Sequence, residues 1–340
     1  MRNRKLWSLI LCLSVVALSY FNSSVFGQGT PVKLNYSHHF PAPHSISVLT
    51  NEWAKEIEKR TNGKVNVTVF AGGTLIPVDK VYDGVVKGIA DIGLAVPAFT
   101  RGKFPLTEVI DLPLGYKSGI AASKLINEYF NKFKPKEFDE VQVMFFHGHG
   151  PAALHSKKAV NKLEDIKGMK IRSTGLSAKI VTAIGGAPVA MSVAEAYDAL
   201  SKGVVDASMA PMEALAGWKW GEVVKFSIES PSLGYTTTFV VVMNKEKWNA
   251  LPPDTQKIIE KVNEEWIEKM GNNWDAMEKG GMDFTLKLGN KIMSLSKEEN
   301  EKIAKAVRPL LDEYLKDMKG KGLPGDEVLN FCIDRLKTIK

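Results

Sequence analysis

Arg172 closes a short predicted strand, Lys170-Ile171-Arg172, and stands directly before a Ser173-Thr174-Gly175 turn. In open α/β sheets, ligands gather outside the carboxyl ends of strands. A guanidinium at such a place offers a planar fork that matches a carboxylate through two parallel N–H···O bonds. On position alone two readings stand: a carboxylate clamp, or a surface arginine that ends a strand.

Histidine is the second source of chemistry, at His38, His39, His44, His147, His149 and His155. The pair His147-x-His149 follows a predicted strand, a spacing that can ligate zinc. It resembles the opening of a barrel amidohydrolase and would make the chain an exported metal-dependent hydrolase using His147 and His149. Such sites draw further ligands from later strands, and no histidine follows His155. The competing reading is a set of neutral histidines that hydrogen-bond within loops. Other nucleophile patterns are weak. No Gly-x-Ser-x-Gly elbow occurs, and Gly72-Gly73 is not a phosphate-cradling fingerprint. Cys332, in Leu329-Asn330-Phe331-Cys332-Ile333, reads as a small apolar packing residue.

The chain that must position these groups has 340 residues, 44% apolar and 24% charged, the mix of a globular protein of two domains or one large one. Two cysteines exclude a disulfide scaffold and a multi-cysteine metal centre. Arg2, Arg4 and Lys5 precede an apolar run from Leu6 to Tyr20, and Val25-Phe26-Gly27 offers a cut before Gln28. Residues 1–27 therefore read as a cleaved secretory signal peptide, since the run is shorter than the ~20 residues a spanning helix needs. Removing it takes away three positive charges and no acid, so the net charge falls from +7 to +4. No Lys/Arg block marks a nucleic-acid surface.

Strands and helices alternate along the remainder. Val32 to Tyr36 and Lys64 to Phe70 alternate as strands, with a helix from about Ser45 to a stop at Gly63 between them. A helix near Asp79 to Lys87 leads to a strand at Asp91 to Val96. Val141 to Phe146 reads as a strand followed by the loop His147-Gly148-His149-Gly150-Pro151, and Tyr235 to Met243 is the most β-like run. From Asp254 to about Met282 a helix repeats Ile258, Ile259, Val262, Trp266, Met270, Trp274 and Met277 along one face, and its tryptophans read as core. Ser296 and Glu299 form a capping box for a later helix, with Pro309 kinking it or starting a new turn. One stretch recurs: Tyr82 to Asp91 matches Tyr197 to Asp206 at Tyr, Asp, Lys, Gly and Asp, and proline follows each copy's strand at Pro97 and Pro211. The repeat predicts two related α/β units.

Together several motifs resemble the periplasmic solute-binding proteins of TRAP transporters, of the DctP type. They are Gly63-Lys64-Val65-x-Val67, Gly88-x-x-Asp91-Ile92-Gly93, Asp111-Leu112-Pro113, Gly168-Met169-Lys170-Ile171-Arg172, Gly203-Val204-Val205-Asp206 and Trp248-x-x-Leu251-Pro252. The resemblance implies a two-domain α/β flytrap, joined by strand crossovers and braced by a long helix. The expected partition is residues 31–150 with 235–282, and 151–234 with 283–340. It implies an organic-acid ligand in the interdomain cleft, a clamp at Arg172, delivery to a membrane permease, no cofactor and no catalysis. Two departures bear on the ligand. Ala210 stands where sialic-acid binders have asparagine, and His147 to Pro151 stands where many members place a second arginine. Sialic acid is therefore not expected. His149 and His39 are expected as hydrogen-bonding partners, and Phe40, Phe99, Met212 and Tyr235 as apolar walls. An ATP-driven importer subunit and a receptor's sensing module share this chemistry and remain rivals.

Overall fold

Val32–Ser37 (β1) and Val65–Phe70 (β2) form from the two alternating runs and pair in parallel, Val32 opposite Val65. The computed structural model describes residues 30–100 and 102–339, so the expected signal peptide lies outside the described residues. Between these strands Ser45–Arg60 (α1) buries Ile46, Trp53 and Ile57. The chain continues through Val81–Val86 (α2), Ile92–Ala95 (β3), Gly119–Phe133 (α3), Val141–Gly148 (β4), Ala153–Ser156 (β5) and Lys170–Ser173 (β6). Next come Ser177–Ala183 (α4), Ala187–Ala190 (β7), Val193–Lys202 (α5), Ala207–Ala210 (β8), Ala214–Gly217 (α6) and Phe226–Glu229 (β9). The last elements are Thr238–Asn244 (β10), Lys245–Asn249 (α7), Pro253–Lys287 (α8), Lys291–Ser294 (β11), Lys297–Val307 (α9), Pro309–Gly320 (α10) and Gly325–Thr338 (α11).

The strands make two sheets, ordered β2-β1-β3-β10-β4 and β11-β9-β5-β8-β6-β7. Each contains a parallel trio with an antiparallel strand against it. In the first, β1 lies between β2 and β3, and β10 runs against β3. In the second, β6 lies between β7 and β8, and β5 runs against β8. The sequence repeat is the seam of this likeness. Gly88 and Gly203 both adopt left-handed φ, 71° and 73°, to turn the chain out of a helix. Asp91 accepts the amide of Asn35 at 2.8 Å and returns its own N–H to the Asn35 carbonyl at 3.0 Å. Asp206 does the same with Lys170, at 2.9 and 2.8 Å. The two copies therefore hold the same joint in the two sheets.

The chain passes from one sheet to the other between β4 and β5, returns between β9 and β10, and crosses again through α8 to β11. Asp111 pins the return. Its carboxylate accepts both the amide and the hydroxyl of Thr238, at 3.0 and 2.8 Å, where β10 begins. β4 runs two residues beyond the predicted strand, because His147 and Gly148 pair with Phe239 and Thr238 of β10. The predicted loop is thus shorter, starting at His149.

α8 spans 35 residues, and its predicted stripe faces inward: Ile259, Val262, Trp266, Met270 and Trp274 are buried. It packs on α1, α3 and β4, and its later turns reach α6. Asp275 accepts the first amides of α3, from Gly119 at 2.5 Å and Ile120 at 3.3 Å, a carboxylate at a helix N-terminus. Pro309 starts a new helix, α10. The last helix, α11, lies against α3, where Arg335 makes a bidentate pair with Glu128.

Two adjacent glycines of α8 test how tightly it seats. A Cβ on Gly281 would fall onto the carbonyl of Met212, whereas one on Gly280 meets nothing within 4 Å. Gly281→Ala is expected to destabilise by about 1–3 kcal/mol through overpacking. Gly280→Ala is expected to stabilise by about 0.5–1 kcal/mol from helix propensity. Paired denaturant melts check the opposite signs.

Candidate functional site

Arg172 is the third residue of β6, which runs one residue beyond the predicted strand to Ser173, and its side chain is almost wholly buried. Its Nε donates to the carbonyl of Met191 at 3.1 Å and its Nη1 to that of Met209 at 3.5 Å. The guanidinium lies 5.7 Å over the ring of Trp220. No carboxylate comes within 4 Å of it among the described residues. Burial lowers its pKa to about 10, so it stays charged at neutral pH.

It faces a cavity between the two sheets of about 60 Å³, room for roughly four to six waters at ~10–15 Å³ each. His39, Phe40, Phe99, His149 and Tyr235 line the same cavity, so six of the seven predicted site residues meet there. Met212 does not. It packs with Ala153, Leu215 and Trp220 and borders a different cavity beside Glu278 and Met282. The physical reason is its backbone. Its N–H donates to Glu278 Oε2 at 3.0 Å and its carbonyl abuts Gly281, which turns the residue toward α8. The next residue, Glu213, faces the cavity instead.

Trp218, Phe239, Thr237, Trp274 and Glu213 complete much of the wall and were missed by sequence reasoning. Alternation carried a usable signal for two of them. Tyr235, Thr237 and Phe239 point into the cavity, whereas Thr236 and Thr238 bond to His149 and Asp111 on the other side. Trp274 belongs to the core stripe as expected and also reaches the cavity. The aromatic rings pack on one another: His39 lies parallel to Phe239 at 6.3 Å and to Trp218 at 6.5 Å, with Phe40 at 4.2 Å.

His147, His149 and His155 are held by internal bonds. His149 Nδ1–H donates to the Gly150 carbonyl at 2.5 Å, so its Nε2 accepts from Thr237 Oγ1 at 3.1 Å. His147 Nδ1 accepts from the indole N–H of Trp274 at 3.0 Å. His155, in β5, bonds Ser227 and the carbonyls of Ala210 and Pro211. Among the described residues no group of three or more His, Cys, Asp or Glu side chains is gathered to hold a metal ion. The geometry gives the hydrolase reading no support.

The family model for bacterial extracellular solute-binding proteins, family 7 (DctP), matches residues 36–317. The chain belongs to this family. The C4-dicarboxylate-binding periplasmic protein DctP of Vibrio cholerae is 23% identical over 91% of this chain and 94% of that protein. A TRAP periplasmic solute-binding protein from Desulfovibrio salexigens, solved as an open complex, is 30% identical. It superposes with a TM-score of 0.81 over 91% of this chain and 97% of that one. A TRAP solute-binding protein from Rhodoferax ferrireducens, solved with copurified benzoate, is 28% identical. Its TM-score is 0.85 over 90% of this chain and 98% of that one. Within the DctP family fold, the sequence markers of this chain have structural tasks: Asp91 and Asp206 lock the parallel trios, and Asp111 anchors β10.

Burial sets a definite pH response. It lowers the pKa of His38, His149 and His155 to about 4, and of His39 and His147 to about 3. These groups stay neutral in the folded chain, so their contribution is complete above pH ~6.5 and is lost as pH falls toward 4. Burial raises Asp111 to about 7 and Glu278 to about 8. Those carboxyls contribute below pH ~4 and lose their contribution as pH rises through 7 to 8. Five histidines outweigh two carboxyls on the acid side, each adding up to about 1.4 kcal/mol per pH unit. Thermal melts of the empty protein from pH 4 to 8.5 are expected to peak between pH 6 and 7, with the steeper fall toward acid. A flat profile from pH 6.5 to 4.5 would contradict this account.

Proposed function

We propose that this chain is the periplasmic solute-binding protein of a TRAP transporter and that it captures an organic acid between its two sheets. The observation that carries the reading is Arg172, a buried guanidinium with no carboxylate within 4 Å among the described residues, facing a cavity walled by aromatic rings. It takes the ligand's carboxylate in a bidentate, charge-assisted pair. Phe40, Trp218 and Phe239 suit a ligand with a ring, in keeping with the benzoate held by the Rhodoferax ferrireducens relative.

The two sheets are the two lobes. Residues 31–150 with 235–282 form one, and 151–234 with the segment after 283 form the other, while α11 rides on the first through Arg335 and Glu128. Closure expels water and lowers the local dielectric, which strengthens the clamp. The closed, loaded form is what the membrane permease recognises, a hinge use of binding energy. Residues 1–27 direct export and are removed, which agrees with the periplasmic name of the Vibrio cholerae relative. The reading needs no cofactor and no covalent step.

Thermal unfolding of ligand-stripped residues 28–340 against benzoate, C4-dicarboxylates, matching amides and sugars tests it. An acid at 100 times its Kd is expected to add about 2.7 kcal/mol, and each kcal/mol is worth about 2–4 °C. Arg172→Ala is expected to abolish the shift. Arg172→Met keeps the packing of the stem and removes a desolvated charge, so it is expected to melt above the wild type when empty. Amides that act as well as acids, or a shift that survives Arg172→Ala, would sink the clamp.

A further inference from the structure

Glu213 is an acid inside a site built for an acid. It is 3% exposed, lines the Arg172 cavity, and bonds His44 Nε2 through Oε1 at 2.7 Å. His44 caps α1, and its Nδ1 accepts the N–H of Ile46 at 3.2 Å. That bond occupies Nδ1 as an acceptor, so the proton His44 gives to Glu213 sits on Nε2. Gly217 protects the pair, because a Cβ there would collide with Glu213 Oε1 and His44 Nε2. The second oxygen, Oε2, takes no hydrogen bond from the described residues. Behind it, burial and the neighbouring Glu213 push Glu278 up to about 8, so near neutral pH Glu278 holds a proton.

Thr237 adds a second acceptor. Its hydroxyl hydrogen goes to His149 Nε2, because the other ring nitrogen carries the proton given to Gly150. Only lone pairs of Thr237 remain for the cavity. Arg172 and Glu213 share the cavity without pairing: the guanidinium's bonds go to Met191 and Met209, and the carboxylate's to His44. The cavity therefore sets one cationic fork and two fixed acceptors, Glu213 and Thr237, among its rings, with the Tyr235 and Thr174 hydroxyls elsewhere on the wall.

We infer that Glu213 is the specificity residue of this cleft, restricting it to ring-bearing acids with a single carboxylate and a hydroxyl or amino donor away from it, and repelling dicarboxylates. This rests on the binding-protein reading above. A donor bonds Oε2 and Thr237, whereas a second carboxylate meets a like charge in a cavity walled by rings and is rejected.

Calorimetry on residues 28–340 tests this with benzoate, 3-hydroxybenzoate, 3-aminobenzoate, 3-methoxybenzoate, isophthalate and succinate. In the wild type the hydroxy or amino acid is expected to bind at least about tenfold more tightly than benzoate or the methoxy acid, because a site built for a donor rejects its absence. Isophthalate and succinate are expected to bind weakest. Glu213→Gln keeps the size and the His44 bond but removes the charge. It is expected to bring the ratio of donor-bearing to donor-free acids within about threefold of unity and to strengthen isophthalate relative to benzoate. The wild-type comparison of hydroxyl with methoxy needs no variant and stands even if Glu213→Gln misfolds. Acids that bind through Arg172 with no preference for a donor, or a rank order unchanged in Glu213→Gln, overturn this inference and leave the clamp intact. Binding by no acid on the panel overturns both.

Discussion

A guanidinium taken out of water, with no carboxylate within 4 Å among the described residues, raises the free energy of the empty protein, and the cleft is arranged around that cost. Arg172 is steadied by two backbone carbonyls and the face of Trp220, which soften the desolvation without neutralising the charge. Donors of the fork are left unspent for a partner from outside. On the proposed reading, the interaction that makes the apo state uncomfortable is the one a ligand carboxylate would relieve, so affinity would be drawn from the protein's own strain in solvation.

The rest of the fold keeps that site in register. Two sheets built to one plan present strand ends to a shared cavity, and the same aspartate joint recurs in both. α8 runs along the first sheet's helices and reaches α6, where Gly281 lets it touch the chain just before Glu213. The His44–Glu213 bond then spans the cavity's two sides, joining the entry to α1 with the turn after β8.

Much of this was legible in the sequence because it rests on local periodicity. The alternation of Val65, Val67 and Val69, the stripe from Ile259 to Trp274 and the glycine-stopped repeat all dictate their elements. Arg172 could be singled out from its place at a strand end, whereas His39, Phe40, Phe99, His149 and Tyr235 could be expected in one cleft only through the family resemblance. Met212 missed by one residue, since the turn after Pro211 obeys neither strand nor helix period and is set by Glu278 from far along the chain. Trp218 follows a four-residue helix with no stripe to read. The pairing of His44 with Glu213 joins residues 169 positions apart, and nothing local in either segment announces it.

The placement of β10 between β3 and β4 also governs when the molecule can exist at all. β4 is joined to the first sheet only through β10, which is contributed by residues 238–244. The amino-terminal strands therefore cannot close their sheet until the chain well beyond its midpoint has emerged, however strong their own preferences. Contacts of such sequence separation make folding slow. The order of its strands thus makes completion of the first sheet a late step, which waits for residues 238–244 to arrive between β3 and β4.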